Sequence, residues 1–102
     1  MRLSEKEKNT LVHVFQETFG PEDHLWLFGS RVDDQKRGGD IDLYVETMDS
    51  DMQLLVQRHL SYLGEVKRIL GDQKIDLVIN QLPLKKELFV YEVAKKTGMQ
   101  LI

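Results

Sequence analysis

Two aspartates, Asp40 and Asp42, open the apolar stretch Ile41-Asp42-Leu43-Tyr44-Val45. Successive side chains of a strand point to opposite faces, so residues two apart share one face. Two carboxylates held side by side repel, and a divalent cation relieves the repulsion. Hard oxygen donors select Mg²⁺ or Mn²⁺. Upstream, the apolar run Leu25-Trp26-Leu27-Phe28 ends in Gly29-Ser30. Gly29 admits a tight turn. Ser30 offers an anion both an N–H and a hydroxyl, and N–H groups at a helix start suit phosphate. A phosphate cradle beside a divalent-metal site is what phosphoryl or nucleotidyl transfer requires. A third carboxylate, Asp76, stands among Ile75, Leu77, Val78 and Ile79. Burying a lone carboxylate is costly unless something neutralises it. If its strand pairs beside that of Asp42, Asp76 reaches the same space, as metal ligand or proton acceptor.

Each feature also has a plainer reading. Asp-x-Asp alone fits a solvated strand edge, and Gly-Ser fits an ordinary turn. Asp76 could simply pair with Lys74. Lys36-Arg37 fits a solvated loop tip better than a nucleotide clamp. Trp26 and Phe28 are core residues before they are stacking platforms. Tyr44 shares the face of Asp40 and Asp42, so it could flank a nucleotide. His13, His24 and His59 have no metal-ligand spacing; the first two read as surface residues and His59 as helix packing.

The elements that must position these groups follow from periodicity. Ser4 caps a helix that runs to Thr18, with Leu11, Phe15, Thr18 and Phe19 as its apolar stripe. Gly20-Pro21 ends it. Leu25–Phe28 reads as a central strand covered on both faces. A short helical turn follows Ser30, and then a polar loop to Gly38-Gly39. Residues 40–46 form the second strand, with Ile41, Leu43 and Val45 toward the core and the opposite face left to the site. Ser50, with Gln53 three residues on, predicts a capping box for the longest helix, which stops at Gly71. Residues 74–80 form a third strand. Pro83 suits the first turn of a last helix, with Leu84, Leu88 and Tyr91 inward and Val90 and Ala94 as further inward candidates. Gly98 stops it, and residues 99–102 suit a short terminal strand. The order is that of an α/β or α+β layer domain with a small mixed sheet.

The chain of 102 residues is sized for one domain, residues 1–102, and its 41% hydrophobic content can fill a core. It has no cysteine, which excludes disulfides and zinc–thiolate sites. No apolar run has membrane-spanning length and no signal peptide is visible, so a cytoplasmic location is expected, with no membrane partner. The formal net charge of −3 argues against direct nonspecific nucleic-acid binding, which needs a basic footprint. A nucleoside triphosphate needs only a local positive site.

Gly29-Ser30-Arg31, then Gly39-Asp40-Ile41-Asp42-Leu43, then Ile75-Asp76-Leu77 resembles the polymerase β-like nucleotidyltransferase superfamily. The likeness is greatest to its minimal single-domain branch, and it covers essentially the whole chain. The resemblance implies a twisted mixed sheet with helices packed against it. It implies Mg²⁺-dependent (or Mn²⁺-dependent) transfer of a nucleoside monophosphate from a triphosphate, with ATP as the expected donor. By match, Gly29 and Ser30 hold the triphosphate, and Arg31 is a phosphate contact. Asp40 and Asp42 bind metal, and Asp76 completes the site as ligand or base. Minimal members are commonly encoded beside small helical HEPN proteins, many of them RNases. The implied function is therefore adenylyl transfer to a partner protein in a toxin–antitoxin pair. The alternative is a catalytically weak or silent antitoxin that neutralises the helical RNase by binding it.

Overall fold

The computed structural model describes residues 3–32 and 40–102, and of Ser30 the backbone alone. Lys36, Arg37 and the Gly38-Gly39 end of the polar loop lie outside the described residues.

Helix α1 spans Glu5–Thr18, β1 His24–Phe28, β2 Ile41–Thr47, α2 Met52–Leu70, β3 Ile75–Gln81, α3 Phe89–Thr97 and β4 Met99–Gln100. Short 3₁₀ turns cover Gly29–Val32 and Leu82–Leu84. The sheet order is β3-β2-β1-β4. Strands β2 and β3 run parallel through the α2 crossover, while β1 is antiparallel to both of its neighbours. This is the small mixed sheet with packed helices that the motif order implied.

Why these residues form these elements is clear at the helix starts. The Ser4 hydroxyl accepts from the Glu7 N–H, and the Glu7 carboxylate accepts from the Ser4 N–H, closing a capping box. The box expected at Ser50 does not form. Asp51 is the cap of α2: its Oδ1 accepts from the N–H groups of Gln53 and Leu54 at 3.0 and 3.2 Å. A carboxylate is the stronger acceptor at a helix's positive end. Asp49 Oδ1 in turn accepts from the Asp51 N–H, fixing the entry of the chain. Asp51→Ala is therefore expected to cost about 1 kcal/mol, and Ser50→Ala a few tenths. Paired thermal melts check this; an equal loss from both would return the cap to Ser50.

The two faces of the sheet carry separate cores. On one, Leu25, Leu27, Ile41, Leu43 and Val45 pack under α1 and α2, against Leu11, Val14, Phe15, Tyr62 and Val66. The Tyr62 hydroxyl, buried among them, donates to the Leu11 carbonyl at 2.9 Å and so ties the two helices together. On the other face Trp26 and Tyr44 pack under Ala94 of α3. Strand β1 is thus covered on both sides, as its unbroken apolar run requires. The far face of β2 is not left wholly to a site, because α3 covers it from Tyr44 onward. Among the described residues, α3 leaves the end carrying Asp42 uncovered.

The last helix starts later than Pro83 suggests. Pro83 sits in the 3₁₀ turn, and Lys85 then takes a left-handed conformation with φ 52°, which stops helical propagation. Leu84 and Leu88, expected inward, are exposed, whereas Ala94 is fully buried. The segment from Leu82 to Leu88 leads from the end of β3 to the helix that covers the opposite face.

Candidate functional site

The acidic site is built where β1 ends and where β2 and β3 begin. Asp42 and Asp76 are direct partners in the parallel register, and Phe28 is the antiparallel partner of Asp42. Paired residues on adjacent strands share a face, here the face α3 covers further along. The two carboxylates therefore stand side by side just beyond its edge.

Gly29 closes this end. Its φ of 78° lies in the left-handed region, and a Cβ placed on it would sit 3.1 Å from Asp42 Cγ and closer still to Oδ2. The backbone turn thus presses directly on the Asp42 carboxylate, which only glycine permits. Ser30 continues the 3₁₀ turn in the backbone, and its hydroxyl lies outside the described atoms.

Among the described residues, the negative charges at this end outnumber the positive ones. Burial first, then the charges of Asp76 and Asp40 and a hydrogen bond shared with Asp76, push the Asp42 carboxyl above its ordinary range; Lys74 pulls weakly the other way. Asp40 precedes β2 and turns toward Lys74, with Nζ 3.4 Å from Oδ2. That ion pair is largely open to water and so holds weakly. The lysine considered as a partner for Asp76 thus pairs with Asp40 instead, and Asp76 is exposed. Among the described residues, no three His, Asp or Glu side chains are gathered closely enough to hold a metal ion as they stand.

Arg31 reaches Glu7 of α1 and Gln73. Its guanidinium lies 3.7 Å from Glu7 Oε2, and it donates to Gln73 Oε1 at 3.4 Å. Glu7 feels burial that would raise its carboxyl. The Ser4 N–H, the Gln73 amide, the Ser4 hydroxyl and Arg31 outweigh that and hold it below its usual range. To meet a phosphate, Arg31 would have to share or leave these partners.

Tyr44 does not flank the site as an open platform. It is 1% exposed, its hydroxyl donates to Glu46 Oε2 at 2.8 Å, and it accepts from Asn80 Nδ2 at 2.9 Å. Burial pushes its pKa up to about 12. Lys95 neutralises Glu46 at 3.1 Å and lies over the Trp26 ring. Sequence reasoning passed over Glu46 and Asn80, since a strand-end glutamate and an asparagine look solvated until α3 is laid over them. The available signal was the period of two, which puts Glu46 on the same face as Trp26's neighbour Tyr44.

No family model matches the chain, and no curated protein matches it. Among solved structures it is similar to a chain of the MntA-HpeT toxin–antitoxin crystal structure, a mutant with two Asp-to-Glu substitutions two residues apart. The TM-score is 0.65 at 22% identity, over 93% of this chain and 71% of that one. At that identity the likeness shows a shared fold. That fold is the one the nucleotidyltransferase resemblance implied. Among the described residues, no helix is long and apolar enough to cross a membrane.

Proposed function

We propose that the chain is a metal-dependent nucleotidyltransferase that moves a nucleoside monophosphate, AMP from ATP, to a hydroxyl on a partner protein: the hydroxyl oxygen bonds the α-phosphorus, the bond to the β-phosphate breaks, and pyrophosphate leaves. One observation carries this reading: Asp42 and Asp76 are paired at the end of the sheet that α3 leaves uncovered, beside Gly29, with more negative charge than the described residues around them neutralise. Such a pair fits a hard divalent cation, and Asp40 is near enough to join once it leaves its exposed lysine. In this reading Asp40, Asp42 and Asp76 hold Mg²⁺ or Mn²⁺. The bound ion would neutralise charge on the triphosphate and activate it toward attack. The Gly29-Ser30 turn offers its N–H groups to the phosphates. Asp76, the most exposed of the three, is suited to take the proton of an incoming hydroxyl.

The test is transfer of label from α-labelled ATP, with Mg²⁺ or Mn²⁺, to the protein encoded beside this one. Wild type is expected to label its partner, and Asp42→Asn to lose at least about a hundredfold in rate. Equal labelling by both, or none with any nucleotide, would refute the reading.

A second reading keeps the fold and drops the chemistry. Here the chain is an antitoxin that neutralises a small helical HEPN RNase by binding alone. The Asp40–Lys74 pair favours it, because it neutralises one of the three acids, and among the described residues no three acids are gathered as a metal site. The likeness to a toxin–antitoxin component fits either reading. Joint replacement of Asp40 and Asp42 by Asn separates them. Neutralisation that survives in cells supports binding alone; neutralisation lost while the complex still forms supports chemistry.

A further inference from the structure

The outer flank of α2 and the outer edge of β3 form a side of the molecule that meets the acidic site at Asp76. Met52, Val56 and Leu60 recur every four residues along that flank and are 59%, 50% and 67% exposed. This is a ridge of the kind that packs against another helix. Between it and β3 runs a groove of about 200 Å³, floored by Leu77, Ile79 and Gln81. From Met52 to Gly64 the helix carries a single permanent charge, Arg58. That guanidinium is occupied on the other flank by Asp49 and Asp23. In a chain of 30% charged residues, such a face is unusual.

The strand beside it is also open. The Lys74 carbonyl accepts from the Ile41 N–H, so alternate residues from Lys74 to Asn80 bond β2. Leu77, Ile79 and Gln81 therefore turn their backbone groups outward. Among the described residues this edge is met by the Tyr91 hydroxyl, which donates to the Ile79 carbonyl at a long 3.3 Å. The Gln81 side-chain Nε2 is buried with no hydrogen-bond acceptor. An unpaired edge presents both donors and acceptors, so it is its own complement when turned antiparallel.

We propose that this face binds a second copy of the chain, by two-fold antiparallel pairing of β3 with β3 and contact of α2 with α2. The proposal does not depend on the transferase reading. Pairing centred on Val78 sets Leu77 opposite Ile79, Asp76 opposite Asn80 and Lys74 opposite Leu82 of the second copy. No like charges then meet, and the two ridges of Met52, Val56 and Leu60 close over the grooves. The uncharged face carries no self-repulsion, so two copies can bring it together, and the self-complementary edge of β3 favours an identical partner. A seven-residue strand and three turns of helix offer a contact area on the order of 500 Å² per copy, below the usual ~800 Å². The dimer is therefore expected to be reversible, in the micromolar range.

Sedimentation equilibrium of the full chain across the micromolar to sub-millimolar range tests this. Wild type is expected to shift from monomer to dimer. Val56→Glu combined with Leu60→Glu is expected to weaken association at least tenfold, with the melting temperature unchanged at concentrations where wild type is monomeric, because both side chains already face water. Phe89→Glu, at 77% exposure the most exposed large apolar residue among those described and on the opposite face, is expected to leave the dimer intact. A monomer at all concentrations overturns the proposal. So does a dimer indifferent to the double variant, or one lost equally with Phe89→Glu. A wild type that stays monomeric but binds a different protein through this face also overturns it.

Discussion

Gly29→Ala is expected to destabilise the protein by on the order of 3 kcal/mol, a drop in melting temperature of roughly 10–20 °C for a domain of this size. Two separate causes add. The φ of 78° is a conformation that costs a residue with a Cβ about 1–2 kcal/mol. The added methyl also lands on the Asp42 carboxylate, 3.1 Å from Cγ and nearer to Oδ2. The carboxylate cannot retreat toward Asp76, whose charge already repels it. The two causes separate in a double-mutant cycle. With Asp42→Ala in the background, the nearest atom becomes Asp42 Cβ at 3.3 Å, a tight contact that a small shift relieves. Gly29→Ala should then cost only the conformational part, about 1–2 kcal/mol. An equal cost in both backgrounds would show that the glycine serves the turn alone and does not make room for the carboxylate.

That coupling is where the sequence could be read furthest. The apolar runs at Leu25–Phe28, Ile41–Val45 and Ile75–Ile79 have few alternatives to being strands, and the Gly-Ser pair has to follow the first. The direct pairing of Asp42 with Asp76 follows once β2 and β3 run parallel with one crossover helix between them. What escaped was set by tertiary placement. Tyr44 alternates onto the face of Asp42, so period alone groups it with the site. It is buried because α3 crosses that face two residues further on. Leu84 and Leu88 look like a helical stripe, but the chain has to cross from one end of the sheet to the other face before it can coil. The partner of Lys74 was a question of rotamers: Asp40, just before β2, is free to turn toward it, while Asp76 is fixed in β3 beside Asp42. The cap of α2 turned on a competition between neighbours, Ser50 and Asp51, that the capping pattern does not rank.

Asp42→Asn is expected to make the metal-free protein more stable while removing transfer and metal binding. The Asp42 carboxyl is raised above its usual 3.8 by burial and by the charges of Asp76 and Asp40. The sign follows from proton linkage. Well below pH 3.8 the group is protonated in both folded and unfolded chains and contributes nothing. As pH rises, the unfolded chain releases its proton first, so the folded state holds more protons and stability falls through the window up to the raised value. Above that window the whole penalty remains. Asn keeps the shape and drops the charge, so it should gain at neutral pH what wild type loses. Asp42 is partly open to water, which screens the repulsion, so the gain is about 0.5–1 kcal/mol, a few degrees in melting temperature. The difference between the two melting curves should close below pH 3.8 and open above it. Glu7, whose carboxyl is held low, destabilises both proteins alike in acid and cancels in the difference. Millimolar Mg²⁺ or Mn²⁺ reverses the ranking in the proposed site, because an ion that binds only the folded state adds about 2.7 kcal/mol at a hundredfold excess over its dissociation constant. Wild type should then melt above Asp42→Asn. If the ion moves neither curve, the raised carboxyl is a cost of packing under Gly29 and no metal is held there.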